Sequence, residues 1–322
     1  MPARREQTDE DTFRQLVRAH ERALQVHCYR MLGSLHDAED LTQETLLRAW
    51  RSRDSFEGRA SVRVWLYRIA TNACLDEIDR RARRLLPVMT GAPQTAFVPA
   101  APVPDETPWL DPMPDAWFDV PDAEPGPEAR YEAKESVELA FVAALQLLPG
   151  RQRAVLLLRD VLGWSIQEIA AMLEMSVAAT NSVLQRARSA LGQPVARVAA
   201  RLTPAAERAL VERYVHAWEH SDVHELVALL QEDARLSMPP LAEWYVGIDA
   251  IAAFFRWATS TQGAGPFRLV PTRANGAPAF GIYARGEPFV LQVVEADVRG
   301  IRAMTSFMNP ALFRFFKDLG AQ

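Results

Sequence analysis

Eleven prolines between positions 87 and 127 constrain the fold of this 322-residue chain more than any other feature. Proline lacks a backbone N–H and has a fixed φ angle, so a segment this rich in it cannot continue a helix or a central strand. Residues 87–128 also contain eight acidic residues and no lysine or arginine. We therefore predict an extended acidic linker over 87–128, poorly ordered in the free protein, between separately folded parts.

The overall net charge of -5 hides an uneven distribution along the chain. Residues 1–86 carry a net charge of +2, residues 129–201 carry +3 and residues 202–322 carry -2. Two mildly basic segments therefore flank the acidic linker. The global charge does not exclude a nucleic-acid partner.

The sequence contains no signal for export, membrane insertion or metal binding. It has no run of eighteen apolar residues and no apolar export segment near Met1, so we expect a cytoplasmic protein. Cys28 and Cys74 lie in apolar helical patterns without a cysteine or histidine at ligand spacing. We interpret both as reduced packing residues, and we predict no metal site and no cofactor.

An acidic pattern begins after Leu35. Asp37, Asp40 and Glu44 recur at helical spacing, so we predict that all three project from one helix face with Gln43 beside them. Apolar residues occupy the other side, which makes the helix amphipathic. Such an acidic face is either ordinary solvated surface or a binding surface, and the pattern alone leaves both open.

A second helix is predicted from about residue 59 to about residue 84. Trp65, Arg68 and Asn72 lie on one of its faces together with Ser61. An aromatic ring for stacking, an amide for reading a base edge and arginines for phosphates are typical of a platform for unstacked single-stranded nucleic acid. The alternative is a helix with a core tryptophan and a basic end.

These two helices resemble region 2 of the sigma-70 family, in the form found in the extracytoplasmic-function group of bacterial sigma factors. The resemblance rests on the sequence from Asp37 to Glu44, on Phe56, and on Trp65-Leu66-Tyr67-Arg68-Ile69-Ala70-x-Asn72. It implies that the acidic helix docks on core RNA polymerase, whose β′ clamp and β subunits would be partners. The implied polymerase-binding residues are Asp37, Asp40, Gln43 and Glu44.

The same resemblance implies that the second helix melts the -10 element of promoter DNA, with Asn72 holding a flipped base. The implied -10 contacts are Phe56, Arg63, Trp65, Tyr67, Arg68, Asn72, Arg80, Arg81 and Arg84.

A helix-turn-helix is predicted within residues 129–198. Ser165 and Glu168 form a capping box at the start of one short helix, and a turn at residues 174–176 leads into a second helix from Val177 to Leu191. This pair resembles sigma region 4, which implies that the second helix reads the -35 element in a major groove. An ordinary helical hairpin is the alternative. The implied -35 contacts are Ser176, Thr180, Asn181, Gln185, Arg186 and Arg188.

This recognition helix departs from the family pattern. Asn181 and Val183 stand where the family commonly has a lysine and an arginine. Fewer cations weaken the salt-dependent attraction to phosphates, so -35 binding should lean on Thr180, Asn181 and Gln185 or need help from elsewhere.

Residues 202–322 combine helical patterns with later strand patterns. A capped helix starts at Ser221-Asp222, another helix spans 249–257, and Asn275-Gly276 and residues 297–300 are hairpin turns. With Trp244-Tyr245-x-Gly247 and Arg273-Ala274-Asn275-Gly276-x-Pro278-Ala279, the segment resembles the cone-shaped SnoaL-like domain. The expected fold class is thus two all-α domains followed by an α+β domain.

Three histidines in this segment suit a metal only if they lie on one helix. His216, His220 and His224 are spaced by four residues, but the helix start at Ser221-Asp222 separates the last from the other two. We therefore predict no catalytic residue and no metal ligand here.

The predicted organisation is region 2 at 11–86, the linker at 87–128, region 4 at 129–198 and the SnoaL-like domain at 202–322. The predicted function is that of a promoter-specificity sigma factor, not an enzyme, whose last domain regulates it in either direction. An anti-sigma protein or a small ligand of that domain is a further candidate partner. Two alternatives stay open: a SnoaL-like enzyme fused to a DNA-binding region, and a helix-turn-helix regulator that acts without polymerase.

Overall fold

The computed structural model describes residues 2–53, 61–99, 107–118, 138–191, 202–260 and 263–319, with side chains from Val17 onward. The chain divides into two units. One contains Met1–Arg84 and Trp117–Pro194, and the other contains Leu85–Ala116 and Val195–Gln322. Each unit is described by itself below.

The first unit is helical throughout its described residues, as predicted. Gly33 ends the first helix with a φ angle of 71°, and Ser34 caps the second by accepting a hydrogen bond from the backbone N–H of Asp37 at 3.2 Å. The helices are α1 (Pro2–Leu32), α2 (Leu35–Arg51), α3 (Val62–Arg80), α4 (Leu139–Gln146), α5 (Gly150–Leu156), α6 (Ile166–Met172) and α7 (Val177–Leu191), with a π-helical turn at Leu157–Val161 after α5.

A buried arginine joins α1 to the helices around α5. The side chain of Arg153 is 2% exposed. It donates hydrogen bonds to the Gln146 side chain at 2.6 Å, to the carbonyls of Gln146 and Leu148 at 3.0 and 3.1 Å, and to the carbonyl of Met31. Burial and the charge of Arg83 lower the pKa of Arg153 to about 10, so the guanidinium stays protonated at neutral pH. Arg153 therefore supplies hydrogen-bond donors to three buried backbone carbonyls.

Among its described residues, the second unit contains three α-helices, one six-stranded sheet and short 3₁₀ helices that include Pro310–Phe315 and Lys317–Leu319. Asn275 and Gly276 suit a hairpin turn that needs positive φ angles, and they adopt φ angles of 53° and 76° between two strands. The helices are α8 (Pro204–Glu219), α9 (Val223–Ala228) and α10 (Ile248–Ala258), and the strands are β1 (Leu230–Ser237), β2 (Trp244–Val246), β3 (Phe267–Ala274), β4 (Ala277–Ala284), β5 (Glu287–Asp297) and β6 (Gly300–Phe307).

The strands follow the order β2-β1-β6-β5-β4-β3. Strands β1 and β6 are parallel, and the other neighbours are antiparallel. Large buried rings fill the core between the helices and the sheet, among them Tyr214 of α8, Phe255 of α10 and Phe280 of β4. The predicted α+β fold class of this part of the chain is confirmed, although the pairing of β1 with β6 makes the sheet mixed.

The linker prediction needs correction where the structure describes the segment. Residues 85–99 and 107–116 pack within the second unit and are not an extended spacer there. Leu110 and Met113 are fully buried, and the backbone N–H of Asn275 donates to the carbonyl of Met113 at 2.9 Å. The described residues of the segment form only short 3₁₀ helices at Pro87–Met89 and Asp115–Trp117. Its apolar side chains and backbone groups still find partners on the neighbouring sheet.

Candidate polymerase and nucleic-acid interfaces

Helix α3 presents the predicted polar and aromatic face to solvent. Arg68 and Asn72 are exposed and Trp65 is half-buried. Ser61 caps the helix by accepting a hydrogen bond from the N–H of Val64 at 3.3 Å. Leu66, Ala70 and Ala73 are buried on the opposite side. The structure therefore places an indole, a guanidinium and a carboxamide in one row on a rigid helix.

Tyr67 does not belong to this exposed face, which corrects the prediction that it contacts DNA. Its side chain is 2% exposed, and its ring lies 5.0 Å from that of His27 and 5.4 Å from that of Trp164. Residue 67 is one position before Arg68, about 100° around the helix, so it points into the core. Arg63 is exposed on α3, with its guanidinium 5.8 Å from the ring of Tyr67. Phe56 lies outside the described residues.

His27 is a buried titratable residue in this core. Its ring lies 3.0 Å from the hydroxyl of Thr71. Burial, followed by the charge of Arg30, lowers the pKa of His27 to about 3. The ring is therefore neutral at physiological pH and serves as a packing residue.

The basic end of α3 is organised by an aspartate from α2. Both oxygens of Asp37 accept hydrogen bonds, from Arg81 and from Arg84, each at 2.8 Å. The side chain of Asp37 is only 12% exposed. Asp37 therefore points toward α3 and not toward a partner, which corrects its prediction as a polymerase contact.

The arginines themselves differ in environment from the predicted helical cluster. Helix α3 ends at Arg80, and Arg81 already has extended backbone angles. Arg80 lies 3.6 Å from Glu77, and Arg81 also pairs with Glu77. The exposed fractions of Arg80 and Arg81 are 72% and 55%, so both guanidinium groups still reach solvent where a phosphate can approach.

The remaining acidic residues of α2 form a surface face. Asp40 and Gln43 are exposed, and Glu44 is half-exposed and pairs with Arg48 at 2.8 Å. Leu47, one turn after Gln43, is 51% exposed on the same side. Leu47 was not among the residues predicted for this surface. An apolar residue at helical spacing from exposed acidic residues was the available signal.

The helix-turn-helix is formed by α6 and α7. Ser165 and Glu168 make the predicted capping box, with Glu168 accepting from the N–H of Ser165 at 2.8 Å, and these hydrogen bonds lower the pKa of Glu168. Glu174 turns the chain with a φ angle of 54°. The hydroxyl oxygen of Ser176 accepts from the N–H of Ala179 at 3.1 Å at the start of α7.

The exposed face of α7 contains most of the predicted DNA contacts. Asn181, Gln185 and Arg186 are exposed. Thr180 is fully buried and donates its hydroxyl to the carbonyl of Ser176 at 3.0 Å, which corrects its prediction as a DNA contact. Arg188 is paired with both oxygens of Asp160 at 3.0 and 2.6 Å, and this raises its pKa. Its charge is therefore already partly neutralised.

One ion pair links the α3 face to the helix-turn-helix inside the first unit. Arg68 donates to Glu174 at 2.6 Å, and the two side chains are 47% and 76% exposed. An exposed pair of this kind contributes about 0 to 1 kcal/mol and is easily exchanged for another partner. Arg68 can therefore turn to a phosphate at little cost.

The histidines of the second unit are arranged as predicted. His216 lies on α8, His220 caps its end, and His224 lies on α9. The ring of His220 bonds to the carbonyl of His216 at 2.8 Å. Asp222 caps α9 by accepting from the N–H of Glu225 at 3.0 Å. His224 therefore lies on a different helix from His216.

No helix among the residues that the structure describes is both long and apolar enough to span a membrane.

Comparison with known families defines the class of protein first. The Sigma-70 region 2 model matches residues 16–84, the Sigma-70 region 4 model matches residues 138–191, and the SnoaL-like domain model matches residues 211–304. The exposed row on α3 and the helix-turn-helix lie inside the first two ranges. The chain is thus a two-region sigma protein with an additional C-terminal domain.

Individual relatives define the family. The ECF RNA polymerase sigma factor SigG of Mycobacterium tuberculosis strain H37Rv is 44% identical over 305 residues, which cover 92% of this chain and 81% of the relative. SigE of Mycolicibacterium smegmatis, also an ECF RNA polymerase sigma factor, is 33% identical over 55% of this chain and 59% of its own length. This chain belongs to the ECF RNA polymerase sigma factors, which bind core RNA polymerase and promoter DNA and are not enzymes.

A solved structure has a similar fold over most of the chain. The crystal structure of the extracytoplasmic function sigma factor SigJ from Mycobacterium tuberculosis has a TM-score of 0.58 and 20% identity, over 94% of this chain and 98% of that one. At this identity the likeness concerns the fold alone. It agrees with two helical regions followed by a helix-and-sheet domain.

Proposed function

We propose that Trp65, Arg68 and Asn72 capture unstacked bases of the promoter -10 element. The observation that carries this proposal is their row on one face of α3, where Arg68 and Asn72 are exposed and Trp65 is half-buried. The ring of Trp65 offers a stacking surface, and the amide of Asn72 has both a donor and an acceptor for a base edge. Neighbouring cations bind phosphates without reading sequence; these are Arg63, Arg80, Arg81 and Arg84.

Two further surfaces complete the proposed promoter complex. Asp40, Gln43 and Glu44 form the surface for core polymerase, because they are the predicted residues of α2 that reach solvent. Asn181, Gln185 and Arg186 read the upstream duplex from α7 together with Ser176. Thr180 is buried and is not available to DNA. Arg188 is paired with Asp160, so Arg186 is the predicted cation of α7 that stays outside this ion pair. Binding by α7 should therefore depend weakly on salt.

Replacing Asn72 with alanine tests the -10 assignment. We expect the N72A variant to form open promoter complexes about tenfold or more less efficiently, because loss of a base-reading amide costs about 1 to 3 kcal/mol. Its affinity for core polymerase should stay unchanged. In vitro transcription with permanganate footprinting measures opening, and a binding titration with core enzyme measures association.

Asn181 provides the matched control, because it is an exposed asparagine on the other proposed DNA-binding helix. The N181A variant should weaken binding to duplex DNA with a -35 sequence without a specific defect in melting. Equal loss of opening and of polymerase association in N72A contradicts the role given to Asn72.

The C-terminal unit acts as a regulator in this proposal. Residues 85–99 and 107–116, which connect regions 2 and 4 in sequence, are packed within that unit. In sigma factors the linker between the two promoter-binding regions threads the polymerase cleft, so a segment held on the C-terminal unit is withheld from core polymerase. Partners such as an anti-sigma protein or a small ligand of this unit stay predictions, and the site of action proposed for the chain is the cytoplasm, where polymerase works.

Truncation after Arg201 tests the regulatory role. We expect transcription in vitro to rise about fivefold or more, because coupling between sites in a protein is typically 1 to 3 kcal/mol. A fall would show that the C-terminal unit helps to hold the promoter. Unchanged transcription, with the truncated protein shown by circular dichroism to be folded, removes the regulatory claim.

A further inference from the structure

The segment after α3 adds a short stretch of backbone to the edge of the second unit's sheet. The N–H of Gln94 donates to the carbonyl of Trp244 at 2.8 Å, and the N–H of Val246 donates to the carbonyl of Gln94 at 3.1 Å. Trp244 also donates its indole N–H to the carbonyl of Gly91 at 3.0 Å. Strand β2 is the outermost strand on this side. Residues 91–94 therefore cover backbone groups that an edge strand otherwise leaves open.

The ring of Phe97, three residues after Gln94, packs this segment against the second unit. The ring centroid of Phe97 lies 5.4 Å from that of Tyr245, 5.5 Å from that of Phe254 and 5.5 Å from that of Trp257. We call these three residues the aromatic box. The neighbouring Val98 is 68% exposed, so the fit is specific to one side chain and is not a general collapse of the segment.

The contact is made without charge. No charged residue occurs between positions 87 and 98, and the acidic residues of the linker lie between positions 105 and 128. Backbone hydrogen bonds and ring packing therefore account for recognition here. Residues 91–96 are exposed and β2 has only three residues. Opening of this contact alone should therefore cost much less free energy than unfolding of the whole unit.

We propose that the edge of β2 and the aromatic box form a peptide-docking site whose occupant is residues 91–97 of the same chain. Gln94 supplies the backbone pairing and Phe97 fills the box. Docking holds the segment between regions 2 and 4, and undocking releases it for contact with core polymerase. The inference rests on the proposed regulatory function and names the site through which the C-terminal unit exerts it.

Hydrogen exchange of the full-length protein tests docking directly. In the F97A variant the amides of Gln94 and Val246 should exchange about tenfold faster than in the wild-type protein. The V98A variant removes a neighbouring side chain of similar hydrophobicity and should leave both rates unchanged. Protection in F97A equal to that of the wild type overturns the proposal.

A second pair of variants tests the backbone contact without touching the core. The Q94P variant removes the N–H that donates to Trp244, whereas Q94A keeps it. We expect faster exchange at Val246 in Q94P and not in Q94A. Equal protection of Val246 in the two variants would count against strand pairing as the basis of docking.

Transcription assays distinguish a failure of the docking site from a failure of the proposed regulatory function. F97A and Q94P should shift promoter-dependent transcription in the direction produced by truncation after Arg201, and V98A and Q94A should not. If F97A loses protection but transcribes like the wild type while truncation changes output, the regulatory function stands and the docking site is not its route. If truncation also has no effect, the regulatory function fails.

Discussion

The D40K/E44K variant is expected to lose association with core RNA polymerase by about 100-fold or more. Asp40 is exposed and Glu44 is half-exposed on α2, so both charges can meet a basic surface of the polymerase. Reversing them places like charges opposite each other, which costs several kcal/mol across an interface. The change also leaves Arg48 without its carboxylate partner Glu44, which adds to the positive charge.

A titration of labelled protein with core enzyme measures this effect. The control is E232K/D233K, which changes the net charge equally but alters two exposed residues of β1 in the C-terminal unit. That variant should bind core enzyme like the wild type. Retained association of D40K/E44K, with its helical content intact, would show that this face of α2 is ordinary solvated surface.

The R153M variant should destabilise the first unit by about 3 to 5 kcal/mol. Methionine fills much of the volume of arginine but provides no donor, so the buried carbonyls of Met31, Gln146 and Leu148 lose their hydrogen-bond partner. Each buried acceptor left unsatisfied costs about 1 to 3 kcal/mol, and such costs are not fully additive. The melting temperature of this unit should fall by about 10 °C.

Thermal unfolding followed by circular dichroism measures this change. Arg151 lies on the same helix and is exposed, so R151M is the matched control and should stay within about 0.5 kcal/mol of the wild type. A similarly small effect of R153M would mean that water replaces the guanidinium, and that Arg153 is not needed to join α1 to α5.

Helical periodicity predicted which residues share a face, and these predictions agree with the structure. Arg68 and Asn72 are exposed on α3, and Asn181 and Gln185 are exposed on α7. Ser165 and Glu168 form the capping box of α6. These features depend on residues within a few positions of each other. The geometry of the helix backbone fixes such relations whatever the rest of the chain does.

Periodicity did not predict which polar residues are covered by another element. Asp37 meets Arg81, which lies 44 residues later in the chain, and Tyr67 packs against Trp164. Thr180 is buried although it stands among the exposed residues of α7. For Asp37 and Tyr67 the family motif gave the position, but a partner from a distant element decided the environment of the side chain.

The sequence by itself determined two all-helical regions, the helix-turn-helix with its capping box, the hairpin turns of the sheet and the family to which the chain belongs. Each of these is encoded in residue type and short-range spacing. Only the tertiary structure decided that the proline-rich segment packs on a sheet edge through Gln94 and Phe97. Proline forbids regular structure locally, but whether an irregular segment is covered depends on open backbone groups and apolar rings that are distant in the chain.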